Sequence, residues 1–243
     1  MSQYTVAFAG NPNTGKSTLF NLLTGMRQHT GNWAGKTVVT AEGKFTHKDH
    51  TYLAVDLPGT YSLYSNSADE EAARDYIIFE QPDVTLVVLD ATSLERNLNL
   101  ALQVLEITGR AVVCINLIDE ARRLGIDINL KKISKRLGVP VTAISARNHI
   151  GITELLDQVE RVATRGFTAA PLKITYNESI EQGIAELLPA VEQTVGSMYP
   201  ARWIALRLLD GDHSLLSSIK AHMARKDIPV NKEVAHHGIT ACH

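Results

Sequence analysis

Short apolar runs alternate with helix-length amphipathic segments through the first two thirds of the chain. Four of these runs are predicted to be buried strands, and they cover residues 6–9, 84–90, 111–116 and 141–145. Between them, apolar residues recur at helical spacing, as Leu94, Leu98 and Leu102 do ahead of Gly109. Strands that alternate with helices of this length predict a mostly parallel sheet covered on both faces, with ligands bound at the carboxyl ends of its strands.

Two further strands are predicted after the first helix. Residues 37–45 and 51–56 have strand character and are joined by a short polar turn, which predicts an antiparallel hairpin. The stretch before them, residues 26–36, shows no period and is predicted to be a mobile loop. The predicted sheet therefore has six strands.

The strand pattern stops near Gly166. Three helices are predicted beyond it, at residues 177–193, 201–209 and 214–225. Pro189 is expected to kink or shorten the first of them. The sequence thus predicts an α/β domain over residues 1–168 and a small all-helical domain over residues 169–243.

Composition and charge narrow the class of protein. The 243 residues are 44% hydrophobic and 21% charged, as in an ordinary globular protein, and the formal net charge of -2 offers no footprint for nucleic acid. The apolar runs are far shorter than the ~20 residues that a bilayer crossing needs. Cys114 and Cys242 are too few for a disulfide framework. We therefore expect a cytosolic chain without a nucleic-acid partner.

A phosphate-binding loop is predicted between the first strand and the first helix. Its residues are Gly10, Asn11, Pro12, Asn13, Thr14, Gly15, Lys16, Ser17 and Thr18. Two glycines separated by four residues and followed by Lys and Ser fit the phosphate-loop pattern. The glycines let backbone N–H groups point at phosphate oxygens, and the helix dipole adds positive potential. Lys16 is expected to reach the β- and γ-phosphates, and Ser17 to bind Mg²⁺.

Three later motifs each follow a predicted strand. They are Asp56-Leu57-Pro58-Gly59, Asn116-Leu117-Ile118-Asp119 and Ser145-Ala146-Arg147. Asp56 can hold Mg²⁺ through water, and the Gly59 N–H can meet the γ-phosphate. Asp119 can accept hydrogen bonds from N1–H and the exocyclic amine of guanine, and the third motif can place backbone N–H groups near guanine O6. Each motif alone also fits a polar cap at a strand end, but four in this order favour a guanine-nucleotide site.

Together these motifs resemble those of the Ras-like GTPases of the translation-factor-related class. Longer stretches narrow the resemblance to the cytosolic GTPase domain of the bacterial ferrous iron transport protein B family. They are residues 31–37, 56–63 and 94–98. The resemblance covers residues 3–165 and continues weakly through residues 202–212. It implies a Ras-like P-loop G domain, then a helical domain that slows GDP release, then a polytopic membrane region that we expect outside these 243 residues.

The resemblance also implies roles for individual residues. Gly35, Lys36 and Thr37 are expected to join the nucleotide site, with Thr37 binding Mg²⁺ and sensing the γ-phosphate. Trp33 lies in the same loop, where a structural anchor and a direct functional role are both open. The residues expected to act in catalysis are Asn13, Lys16, Thr37 and Gly59.

Two departures from the general GTPase pattern predict modest guanine affinity and slow hydrolysis. Leu117 stands where a lysine usually lies along the base, and Thr60 stands where a glutamine orients the attacking water in Ras-type enzymes. In potassium-activated GTPases that resemble this family, an asparagine at the position of Asn13 ligates K⁺ beside the phosphates. The alternative is that Asn13 only shapes the turn.

We therefore expect a slow, K⁺-stimulated, Mg²⁺-dependent GTPase that regulates or drives ferrous iron uptake. Its expected place is the cytoplasmic face of the bacterial inner membrane, with guanine nucleotide and the transporter's membrane region as partners and self-association as a further option. The alternatives are a ribosome-assembly-type GTPase and a non-hydrolysing guanine-nucleotide-dependent regulatory module. The scattered histidines near the end of the chain favour a solvated surface or tail over a metal site. They are His213, His222, His236, His237 and His243, together with Cys242.

Overall fold

The computed structural model describes residues 2–25, 29–32, 39–64, 67–196 and 199–225. It divides the chain into two compact units. The first is Met1–Leu172, and the second begins at Lys173.

The first unit is built on a sheet that has seven strands among the described residues. They are β1 (Gln3–Gly10), β2 (His29–Asn32), β3 (Val39–His47), β4 (His50–Asp56), β5 (Val84–Asp90), β6 (Ala111–Asn116) and β7 (Val141–Ala143). Their order across the sheet is β2-β3-β4-β1-β5-β6-β7. β1 pairs in parallel with β4 and β5, and the β5–β6 and β6–β7 pairs are also parallel, whereas β2, β3 and β4 pair antiparallel. The predicted mostly parallel α/β fold is confirmed.

Helices follow most of the strands, as the alternating pattern predicts. In the first unit they are α1 (Lys16–Thr24), α2 (Ala68–Asp75) with a π-helical turn at Tyr76–Glu80, α3 (Leu94–Ile107), α4 (Ile118–Arg123), α5 (Leu130–Leu137) and α6 (Ile152–Ala163). β6 is buried along its whole length, because a parallel strand inside such a sheet is covered on both faces. None of the helices in the described part of the chain has the length and apolar character needed to cross a bilayer.

The core of the first unit lies between the sheet and its helices. Phe8 of β1 and Phe20 of α1 meet edge to face with ring centroids 5.5 Å apart. Leu155 and Val159, on the apolar face of α6, are buried in the same cluster. The parallel strands are therefore held in a packed core, and the loops that follow their carboxyl ends lie at one edge of the sheet.

The stretch predicted as a loop, residues 26–36, contains the seventh strand. Residues 29–32 pair with β3, from His29 opposite Glu42 to Asn32 opposite Val39, so the loop prediction is wrong there. This short edge strand is specified by backbone hydrogen bonding to a neighbour and lacks the apolar alternation that identifies a half-buried strand. The rest of the predicted loop, apart from these four residues, lies outside the described residues.

Residues 169–172 belong to the first unit. The Ala170 N–H donates to the Gly138 carbonyl over 3.2 Å, and the Leu172 N–H donates to the Leu137 carbonyl over 3.0 Å. Gly138 ends α5 with φ of 70°, and a Cβ there would lie 1.7 Å from the Ala170 carbonyl oxygen. The segment is thus laid along the end of α5, where only glycine leaves room for it.

The second unit consists of helices over its described residues, as predicted. They are α7 (Glu178–Val195), α8 (Ala201–Leu209) and α9 (His213–Arg225). Pro189 lies inside α7 and does not shorten it. Arg202 of α8 donates two hydrogen bonds, of 2.8 and 2.7 Å, to the Glu181 carboxylate. These bonds, with a further one from the Tyr176 N–H, lower the pKa of Glu181 to about 2.

Candidate nucleotide-binding site

The phosphate loop runs from the end of β1 into the first turn of α1. Asn13 and Gly15 adopt left-handed backbone conformations, with φ of 66° and 79°. The Thr14 hydroxyl donates to the Asn11 carbonyl over 3.0 Å, a buried hydrogen bond that stabilises the turn. At Gly10, a Cβ would come within 2.7 Å of the Val88 carbonyl oxygen, so the loop leaves β1 at a point where only glycine fits.

The predicted phosphate and Mg²⁺ ligands lie together at the carboxyl end of β4. Lys16 is buried, and its ammonium donates to the Asp56 carboxylate and, over 2.6 Å, to the Leu57 carbonyl. The Ser17 hydroxyl donates to the other oxygen of Asp56 over 3.2 Å. A carboxylate and a hydroxyl are hard oxygen ligands of the kind that Mg²⁺ prefers, so Ser17 and Asp56 fit that cation.

The segment after β4 is hydrogen-bonded through its backbone to the end of β1, where the phosphate loop begins. The Leu57 N–H donates to the Phe8 carbonyl over 3.0 Å, and the Thr60 N–H donates to the Gly10 carbonyl over 3.1 Å. A Cβ on Gly59 would lie 3.4 Å from the Pro12 Cα. Residues 57–60, which include Pro58, therefore lie against the end of β1 and the phosphate loop.

Asn116, the last residue of β6, connects three of the predicted motifs. Its side-chain amide donates to the Thr14 carbonyl over 2.9 Å, and its side-chain oxygen accepts from the Ala146 N–H over 3.0 Å. A Cβ on Gly15 would lie 2.3 Å from the same amide nitrogen. Asn116 is almost fully buried, so these bonds fix the phosphate loop relative to residues 145–147.

Asp119 lies at the start of α4, where the chain turns through Leu117 at φ of 62°. One oxygen of its carboxylate accepts from the Asn148 side-chain amide over 2.9 Å. The other oxygen is buried and has no hydrogen-bond partner among the residues that the structure describes. A buried acceptor of this kind is costly unless a ligand supplies a donor.

Asn148 is a site residue that sequence reasoning missed. It is positioned by a short turn in which Ser145 and Ile150 exchange two backbone hydrogen bonds of 3.1 and 3.0 Å. The Ser145 hydroxyl also accepts from the Asn148 N–H over 3.4 Å. Its position three residues after Ser145 was the one sequence signal that could have pointed to it. The contact with Asp119 could not be foreseen, because the two residues are 29 positions apart.

The remaining predicted residues differ in how far the structure places them. The side chains of Thr18 and Arg147 are exposed. Asn13 is exposed and makes no side-chain hydrogen bond within the described ranges. Gly35, Lys36 and Thr37, with Trp33, lie outside those ranges, as do three of the histidines and Cys242.

Comparison with known proteins identifies the family to which this geometry belongs. The family model described as Ferrous iron transport protein B matches residues 4–159, and the FeoB cytosolic helical domain matches residues 176–237. The chain belongs to the ferrous iron transport protein B family. Residues 4–159 of this chain hold all four motifs described above. The match to the helical-domain model begins at Tyr176, whose N–H donates to the Glu181 carboxylate over 2.9 Å.

Solved FeoB structures share this fold. The apo cytosolic domain of T. maritima FeoB superposes with a TM-score of 0.81 at 34% identity, over 97% of this chain and 91% of that one. An NFeoB variant of S. thermophilus bound to GDP gives 0.77 at 33% identity, over 92% and 90%.

Full-length relatives are longer. The Fe(2+) transporter FeoB of Methanocaldococcus jannaschii is 41% identical over 220 residues, which are 90% of this chain and 32% of that protein. The Escherichia coli transporter is 38% identical over 87% of this chain and 27% of its own length. The chain thus spans about a third or less of these relatives and corresponds to their cytosolic G and helical domains.

Proposed function

We propose that the chain binds guanine nucleotide with Mg²⁺ and slowly hydrolyses GTP. The observation that carries the proposal is the unpaired, buried carboxylate oxygen of Asp119. Asp119 lies three residues after Asn116, which hydrogen-bonds to the phosphate loop. Guanine offers N–H donors at N1 and at its exocyclic amine, whereas adenine offers an acceptor and no amine there. A site built around a polar group discriminates strongly against a base that leaves the group unpaired, by up to ~10⁴-fold or more.

The phosphate end of the site supports the same assignment. Lys16 is held by Asp56 and Leu57, close to where the β- and γ-phosphates are expected. When phosphate oxygens take the ammonium, Asp56 is released to hold Mg²⁺ through water, next to the Ser17 hydroxyl. The FeoB cytosolic domain of T. maritima in its GDP form, at 33% identity over 97% of this chain, supports guanine nucleotide as the ligand.

Hydrolysis is proposed to be slow and stimulated by K⁺. Thr60 lacks the amide of a water-orienting glutamine and is only 4% exposed. Asn13 is exposed in the phosphate loop, and its side chain is not engaged in a hydrogen bond within the described ranges, so its oxygen is available to a cation. A monovalent cation there would neutralise charge between the β- and γ-phosphates as the transition state forms. Thr37 is expected to complete the Mg²⁺ shell.

In the intact protein, we infer that the G domain regulates or drives ferrous iron uptake through the membrane region, at the cytoplasmic face of the membrane. The full-length relatives named Fe(2+) transporter FeoB support this place for the chain. The helical domain holds none of the four motifs, so we infer that it changes GDP release more than chemistry. Self-association stays a prediction. Family membership disfavours the ribosome-assembly alternative.

Single-turnover cleavage of GTP, with Mg²⁺ and either K⁺ or Na⁺, tests the catalytic part of the proposal. We expect slow cleavage in Na⁺ and a several-fold or larger increase in K⁺. Asn13→Ala should remove that increase while leaving GDP affinity nearly intact. No cleavage in either salt would instead support the non-hydrolysing regulatory module, and equal rates in both salts would remove the cation from the mechanism.

A further inference from the structure

A second cluster of ligand-type side chains lies where the β3–β4 hairpin meets α6. His47 ends β3 and His50 begins β4, and the two are cross-strand partners around the turn at Lys48 and Asp49. On α6, Asp157 and Glu160 are three residues apart, which places them on one face of the helix. The hairpin and the helix thus direct two imidazoles and two carboxylates at each other.

These side chains are in direct contact. His47 Nε2 lies 2.9 Å from Asp157 Oδ1, and His50 Nε2 lies 3.8 Å from Glu160 Oε1. Lys48 bridges the carboxylates, with its ammonium 2.8 Å from Asp157 and 2.5 Å from Glu160. One ligand atom from each of His47, Asp157 and Glu160 falls within 4.8 Å of the other two.

Two polar atoms beside the cluster lack partners. The Tyr52 side chain is fully buried and its hydroxyl has no hydrogen-bond partner among the described residues, and the same is true of the buried His50 Nδ1. Tyr52 lies two residues after His50 on β4, so the two side chains lie on the same face of the strand. The Tyr52 hydroxyl can donate to a carboxylate oxygen or to a metal-bound water.

We propose that His47, His50, Asp157 and Glu160 form a binding site for a divalent first-row transition-metal cation. Mixed imidazole and carboxylate ligands suit Zn²⁺, Fe²⁺ and similar ions, whereas Mg²⁺ and Ca²⁺ prefer oxygen alone. Four such ligands match the usual coordination number of Zn²⁺. The unpartnered Tyr52 hydroxyl can then donate a hydrogen bond to a ligating carboxylate and hold it in position, as neighbours of metal ligands commonly do.

Lys48 stands in for the cation in this structure. Its ammonium contributes one positive charge against two carboxylates, and their hydrogen bonds raise its pKa above the usual range of a lysine. Its side chain is 52% exposed, so it can move into solvent at small cost, because exposed ion pairs contribute little. A divalent ion would balance both carboxylates. With metal–ligand bonds of 2.0–2.2 Å, neighbouring ligand atoms in a tetrahedron lie about 3.4 Å apart, so modest side-chain movements close the site.

The cluster is separate from the nucleotide site. Both lie on β4, which begins at His50 and ends at Asp56. At about 3.3 Å per residue, the strand sets them roughly 20 Å apart. Metal binding at the cluster is therefore measurable without nucleotide and does not depend on the function proposed above.

Titration of the full chain with Zn²⁺ or Co²⁺, without nucleotide and with Mg²⁺ in excess, tests the proposal. Because the sequence has nine histidines, ring signals in ¹⁵N-histidine NMR are needed to locate the bound ion. We expect His47 and His50 to shift together with the first equivalent. Asp157→Asn and His47→Gln should each weaken that binding at least about tenfold.

Two matched variants serve as controls. Asp49→Asn changes a carboxylate in the same turn, and Glu154→Gln changes one on α6 a turn earlier, and both should bind the ion as the unaltered chain does. Lys48→Met removes the competing ammonium and should tighten binding. The proposal is overturned if His47 and His50 do not shift, if Asp157→Asn binds as well as Asp49→Asn, or if Lys48→Met fails to strengthen binding. Far-UV circular dichroism of each variant confirms that it is folded.

Discussion

A lysine is paired with a carboxylate near each end of β4, and the two ion pairs differ in how deeply they are buried. At the carboxyl end, Lys16 and Asp56 have side chains 8% and 14% exposed. At the amino end, Lys48 is 52% exposed against Asp157 at 41%. The same type of ion pair is thus largely buried at one end of the strand and half-exposed at the other.

The difference in burial determines how each pair can be exchanged. A buried ammonium must move from one set of acceptors to another, so Lys16 needs phosphate oxygens to replace Asp56 and Leu57. An exposed ammonium can exchange its carboxylates for water, so Lys48 can leave without a replacement. The first pair therefore suits a site that responds to a specific ligand, and the second suits a site open to any cation of the right ligand preference.

Replacing Lys16 should have the largest effect. Lys16→Met removes the buried ammonium that we expect to stabilise the transferring phosphoryl group, and the GTP cleavage rate should fall about 10²–10³-fold. Single-turnover cleavage measures this. Lys44→Met, an exposed lysine on β3, is the control and should cleave GTP at the original rate. If the cleavage rate fell equally in both variants, the buried position of Lys16 would not explain its role in GTP cleavage.

Replacing Asn116 should have the next largest effect, here on the free energy of unfolding, because its hydrogen bonds are buried as those of Lys16 are. Asn116→Ala removes two buried hydrogen bonds and leaves the Thr14 carbonyl and the Ala146 N–H without their partner. We expect a loss of about 2–4 kcal/mol in the free energy of unfolding. Asn148→Ala breaks only a more exposed bond to Asp119 and should cost less. Urea denaturation of both variants measures the difference, and equal costs would contradict the tie that we assign to Asn116.

The smallest effect is expected at the exposed end of β4. Lys48→Met should leave the urea midpoint of unfolding close to that of the unaltered chain, because its ion pairs are half-exposed and screened by solvent. The same denaturation experiment at low and high salt checks it. A large drop in the midpoint would show that the hairpin depends on Lys48 to hold α6, and the contrast between the two ends of β4 would fail.

The sequence predicted best what is encoded locally. The β/α alternation and the four motifs are short patterns, and each motif needs only a strand end and a few neighbouring residues. The structure accordingly brings Lys16 and Ser17 each within hydrogen-bonding distance of Asp56. Their roles toward nucleotide, like those of Gly35, Lys36 and Thr37, stay predictions.

What the sequence did not reveal depends on long-range pairing. β2 is defined by backbone hydrogen bonds to β3, which leave no mark on its side-chain pattern. Asn148 becomes a partner of Asp119 only when two loops are brought together by β6 and β7. His47 and Asp157 are 110 residues apart, and neither belongs to a recognisable ligand spacing. Attachment of residues 169–172 to α5 likewise rests on two backbone hydrogen bonds.

The central claim is that Asp119 selects guanine, and nucleotide affinity measured by calorimetry tests it most directly. The unaltered chain should bind GDP at least about 10²-fold more tightly than ADP or xanthosine diphosphate. Adenine presents no donor at these positions, and xanthine keeps N1–H but lacks the exocyclic amine, so only guanine supplies both donors to the Asp119 carboxylate. Asp119→Asn should reverse the preference between GDP and xanthosine diphosphate, since xanthine presents a carbonyl where guanine has its amine. ADP binding as tight as GDP binding, or an Asp119→Asn variant that still prefers GDP, would contradict the account.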